Sequence, residues 1–157
     1  NKVLSMPVSR NLVFIAKLVQ VFFMILFSEI WICTLFVISG KVIGLTSAIP
    51  WGKLVIWCLF GTLGGTVIAA IQLMISLFIK SFALPVGIAL GGGLSGLVFL
   101  AKHLGHIWPY SLMAYGMNSN APQELLESGY VWFVVICIVY IVLFMTISST
   151  ILSKRDI

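Results

Sequence analysis

The chain has 157 residues, 61% of them hydrophobic and only 8% charged, with a mean hydropathy of +1.19. A water-soluble domain carries about 25% charged residues, so a water-bathed globular fold is excluded and lipid is the expected solvent. The formal net charge of +5 does not point to nucleic acid, because the cations are scattered between apolar stretches, as at membrane boundaries, and form no basic face.

The chain begins at Asn1 rather than Met, and a longer native chain is expected. The first apolar stretch is too long for a secretory signal, and no small-residue cleavage site follows it. Residues 1–157 are read as one transmembrane domain, an all-α polytopic helix bundle. Its first helix spans about 12–39 and is interrupted by Lys17, Gln20 and Glu29. At ~1.5 Å per residue it exceeds the ~30 Å hydrocarbon core, so its first turns belong in the headgroup layer, where Lys17 snorkels. The next loop is short, with Pro50 and Trp51 at the membrane edge. The second helix spans 54–79, broken only by Gln72 and a few small hydroxyls. Lys80 and Ser81 then force a tight antiparallel hairpin into the third helix, 82–101, whose Pro85 falls in the first turn, where a missing N–H costs little. The external segment 103–129 carries Trp108, Tyr110 and Tyr115, aromatics typical of an interface. One or two short interfacial helices are expected there, lying on or dipping into the outer leaflet, one of them starting near Asn120 and Pro122. The fourth span, 130–152, contains no charge. Each span can satisfy its own backbone hydrogen bonds, as lipid requires.

Orientation follows from the cations. Lys2, Arg10, Lys17, Lys80, Lys154 and Arg155 fall on one side, against Lys41, Lys53 and Lys102 on the other. The excess places both ends of the chain in the cytoplasm.

Glu29 is the most informative residue. It sits about 15 Å into the bilayer, where an ionised carboxylate is costly unless paired or wetted. Two readings stand side by side: a residue lining a substrate path, and a protonated or hydrogen-bonded contact between helices. Thr62 and Thr66 are expected at a similar depth, and Gln72, a second candidate path residue, deeper toward the cytoplasm. Glycines form the other signal. Gly61, Gly65 and Ala69 recur every four residues, as do Gly87, Gly91 and Ser95, with Gly92 and Gly96 one step round. This small-xxx-small pattern lets helix backbones approach, and it predicts packing of the second helix on the third, with a dimer face as the alternative. The run Gly91-Gly92-Gly93 suits a hinge. Cys33, Cys58 and Cys137 lie in apolar segments and read as packing thiols. His103 and His106 make a weak metal or pH site and read better as interfacial polar residues. No nucleophile motif, phosphate loop or metal-ligand spacing occurs, so no catalytic, cofactor or metal residues are expected and an intrinsic enzyme is disfavoured.

The stretch Leu4-Ser5-Met6-Pro7-Val8-Ser9-Arg10, followed by Ile15-Ala16-Lys17, resembles a recurrent feature of permease subunits in type-2 ABC exporters. The Gly-rich third helix, the Ile107-Trp108-Pro109-Tyr110 turn and the terminal Lys154-Arg155-Asp156 resemble the same family, closest to its lantibiotic-immunity branch in Gram-positive membranes. The resemblance implies a six-helix permease, of which the four spans here correspond to helices three to six. It implies two permease subunits per transporter and separate ATPase subunits that hold ATP and magnesium, with no cofactor on this chain. It implies that residues 1–11 approach the ATPase, with Pro7 and Arg10 passing on its closure, and that 103–129 holds re-entrant helices. An amphipathic antimicrobial peptide is the implied substrate, and a bacterial plasma membrane the location. Two other readings remain: a non-transporting membrane scaffold or sensor, and an ion-coupled carrier using Glu29 as its proton site.

Overall fold

The computed structural model describes residues 10–44, 48–79, 81–118 and 129–154, and all regular structure among them is helical. In chain order the elements are α1 (Arg10–Val42), α2 (Trp51–Phe78), α3 (Ala83–Ala101), a 3-10 turn (Pro109–Ser111), the short α4 (Leu112–Gly116) and α5 (Tyr130–Lys154). α1, α2, α3 and α5 are each long and apolar enough to cross a membrane. The chain is a multi-pass membrane protein built as an all-α bundle.

The helix ends follow local chemistry. α1 runs past both expected limits, because Gly40 and Lys41 stay helical rather than opening the loop. It stops where Gly44 adopts φ +85 and its N–H bonds the Lys41 carbonyl, a left-handed terminus that glycine adopts without strain. α2 begins at Trp51, three residues ahead of the expected start, because the Pro50 carbonyl already accepts the Leu54 N–H. α3 closes with His103 in the left-handed region (φ 59), its N–H bonding the Leu100 carbonyl while the Leu104 N–H bonds that of Phe99. These paired bonds satisfy carbonyls that the last turn would leave orphaned.

Lengths then decide the topology of the middle of the chain. α2 has 28 residues and α3 has 19, about 42 Å against about 28 Å. Joined through a tight hairpin, the shorter helix ends well below the start of the longer one and leaves a space beside α2. The chain folds back into that space. Tyr140 on α5 donates its hydroxyl to the Ile107 carbonyl at 2.6 Å, and the Gln72 amide donates to the Tyr110 hydroxyl, also at 2.6 Å. Tyr140 lies about 15 Å along α5 from its first residue, and Gln72 only about 9 Å from the last residue of α2. The 3-10 turn and α4 are therefore inserted among the long helices, the dipping arrangement of the two expected, and do not lie on the surface. The helix start expected near Asn120 falls outside the described residues.

α2 is the hub. The buried core joins its Val67 and Ala70 to Leu18 of α1, Leu112 of α4, and Phe133, Cys137 and Phe144 of α5. α3 stands apart: it meets the rest of the bundle mainly through the 3-10 turn and touches α2 only sparingly. The expected packing of the second helix directly on the third is thus corrected, because the turn lies between them.

Candidate functional site

Two clusters gather the polar and glycine residues singled out above, and α2 contributes to both. The first is the seam where α1, α2 and α4 meet. A Cβ added at Gly64 would lie 2.5 Å from the Leu112 backbone, and one at Gly65 would lie 3.1 Å from Ile25. At Gly61 it would meet Met117 Cγ at 2.6 Å and Glu29 Oε1 at 3.3 Å. The missing side chains on this stripe are what allow α1 and α4 to sit on α2.

Glu29 lies inside this seam with no exposed surface. Of the chain's four Asp and Glu residues, it alone falls among the described ones. Among the described residues, neither of its carboxyl oxygens has a hydrogen-bond partner. The buried hydroxyls of α2 bond within their own helix, Thr62 donating to the Cys58 carbonyl at 2.8 Å and Thr66 to that of Thr62 at 2.7 Å. The Cys33 and Cys58 thiols lie alongside, and both are free, as is Cys137. Among the described residues, no hydrogen-bonding contact between helices satisfies the carboxyl.

The second cluster surrounds Tyr110. Besides the bond from Gln72, its ring rests on Gly92, where a Cβ would lie 2.8 Å away, and its backbone rests on Gly96 at 3.1 Å. Trp108 stacks on Phe99 at 5.1 Å and donates its indole N–H to the Gly92 carbonyl at 3.3 Å. Ser111 lies within hydrogen-bonding reach of the Gly105 and Trp108 carbonyls, at 2.6 and 2.7 Å, which closes the turn on itself. Next to Gln72, a cavity of about 620 Å³ opens between α2 and α3, lined by Ser76, Phe82, Pro85 and Ala89 among others.

Set against expectation, Gly61 and Gly65 line a tight seam, but with α1 and the inserted segment rather than with α3. Gly87 and Gly91 face open space, and the packing role expected of them is carried by Gly92 and Gly96, one position round the helix. Gln72 and Glu29 are not brought together. Pro7 lies outside the described residues, and Arg10 is the first residue of α1, with its side chain outside them. His103 caps α3, and the half-buried His106 ring lies 6.1 Å from that of Tyr115. The described residues contain no group of three His, Cys, Asp or Glu placed to hold a metal. Sequence reasoning missed Gly64, Met117 and the role of Tyr110. The doublet Gly64-Gly65 was a usable signal for the first, whereas nothing in the spacing links Tyr110 to Gln72 across 38 positions.

A family model described as ABC-2 family transporter protein matches residues 1–96, a span that runs through α1 and α2 and into α3. No curated protein and no solved structure matches the chain.

Proposed function

The chain belongs to the ABC-2 transporter family, and from that premise we propose that it exports amphipathic antimicrobial peptides of the lantibiotic type, giving a Gram-positive cell self-immunity. The coarser part of this reading stands on the family: the chain is a membrane permease subunit of an ABC transporter, a transport component that works with an ATPase and a second permease. The observation that supports the permease part is the family match over residues 1–96, which takes in the Pro7 and Arg10 segment that resembles type-2 exporter permeases; the lantibiotic substrate rests on the likeness of the chain as a whole to the lantibiotic-immunity branch.

In this reading both ends of the chain are cytoplasmic and the segment around Pro7 and Arg10 takes up the closure of the ATPase. α1 then shifts against α2 along Gly61 and Gly65, where small residues offer little steric interlock. The turn and α4, wedged between the long helices, follow that shift and open the bundle on the far side. Expression of the permease with its cognate ATPase should raise the lantibiotic concentration that a sensitive cell survives. An ATPase variant unable to hydrolyse ATP should abolish the protection. Equal survival with both would refute peptide export. Arg10→Glu should uncouple hydrolysis from transport, and normal coupled hydrolysis in that variant would refute the coupling role.

A further inference from the structure

We propose that Glu29 is the receptor for the cationic group of the exported peptide, an ammonium or guanidinium, and that the Met117 end of the inserted segment covers it between transport events. The inference rests on the export reading above and deepens it by naming the substrate chemistry.

Three observations converge on it. Glu29 has no exposed surface, and neither of its oxygens meets a donor among the described residues. A carboxylate held among membrane helices without a partner is costly, and only a proton or a cation relieves that cost. The Cys33 and Cys58 thiols beside it are neutral and weak donors, so no described neighbour supplies a cation, and a proton for the resting carboxyl comes from water. The second observation is the vacancy that Gly61 provides. With a side chain there, Glu29 Oε1 and the Met117 side chain would not share the place they now occupy.

The third is the form of the cover. At Gly64 the inserted segment presses backbone against α2, with the Leu112 carbonyl carbon and oxygen 2.5 Å from the position of a Cβ. At its other end Gly116 is seated just as closely, a Cβ there lying 2.6 Å from the Phe60 carbonyl oxygen. Beside that seat, at Gly61, the nearest atoms other than Glu29 Oε1 are the Cγ and Sδ of Met117, an unbranched thioether chain that repacks readily. Rotation of that side chain uncovers the carboxyl without unseating Leu112 or Gly116. An amphipathic peptide entering the seam then meets apolar helix surface and one acidic group, and its cation completes the pair that the resting bundle lacks.

The test uses the complete transporter, permease and ATPase together, in proteoliposomes. Two versions of one amphipathic peptide are compared, the first with free lysines and the second acetylated at every lysine, which removes the charge. A charge-assisted hydrogen bond is worth ~1.5–3 kcal/mol, so Glu29→Gln should lower the export ratio of free to acetylated peptide by roughly ten- to a hundredfold. Glu29→Asp should recover part of the ratio. Export of the acetylated peptide reports folding of each variant. An unchanged ratio in Glu29→Gln overturns the inference while leaving the export reading intact. Parallel loss of both peptides also overturns it, marking Glu29 as structural or as paired with a partner subunit. Failure of the unsubstituted transporter to export either peptide refutes the export reading itself.

Discussion

Single residues decide how closely the helices approach, and glycines make the sharpest test. Gly64 lies against the Leu112 backbone, which cannot give way, whereas Gly91 faces open space. Overpacking a tight contact costs ~1–3 kcal/mol, while alanine is favoured over glycine in a helix by up to ~1 kcal/mol. Gly64→Ala should therefore lower the melting temperature in detergent, and Gly91→Ala should leave it unchanged or raise it. The opposite order would refute the seam. The Gln72–Tyr110 bond makes a second prediction. Gln72→Leu and Tyr110→Phe, combined in a double-mutant cycle, should show a coupling of ~0.6–2 kcal/mol, the range of hydrogen bonds between membrane helices. Strictly additive effects would show that the bond contributes nothing to stability.

At the level of elements, α3 depends on the inserted turn. Its contact with the bundle runs through Trp108, which stacks on Phe99, and through Tyr110, seated on Gly92 and Gly96. Trp108→Ala should loosen α3 from α2, and spin labels at Ser76 and Val86 should report a longer or broader distance. An unchanged distance would mean that the hairpin itself holds the two helices. The four long helices were legible because each is a near-continuous apolar run of spanning length, bounded by charge, proline or glycine. Their ends were less so: Gly40, Lys41, Trp51 and Lys53 carry interface chemistry but remain helical, since a helix extends past lipid at little cost. For the inserted segment, Trp108, Tyr110 and Tyr115 suit both readings, lying on the outer leaflet or dipping into it, because they are amphipathic. The shortness of α3 against α2 decides for the second, in keeping with the re-entrant helices that the family resemblance implies. The glycine stripe of α3 was placed one position off, because Gly91, Gly92 and Gly93 are adjacent and periodicity alone cannot choose the face that meets Tyr110. Glu29 was legible as an intramembrane acid, but its sharing of the Gly61 seam with Met117, 88 positions away in sequence, was not.

For the whole molecule, orientation and energy source are the two properties that the account must meet. In the proposed orientation, with both ends of the chain cytoplasmic, the α1–α2 loop lies outside the cell and the α2–α3 hairpin inside. An impermeant thiol reagent applied to intact cells should label Gly52→Cys and miss Ser81→Cys in a background in which Cys33, Cys58 and Cys137 are replaced, and the reverse pattern would invert the map. Export by an ABC permease must draw on ATP, whereas an ion-coupled carrier built on Glu29 would draw on a proton gradient. The most direct measurement is peptide movement across proteoliposomes containing the permease with its ATPase, supplied in turn with ATP or with a pH gradient alone. The account predicts movement away from the ATPase side with ATP and none with the gradient. Movement driven by the gradient without ATP would contradict it.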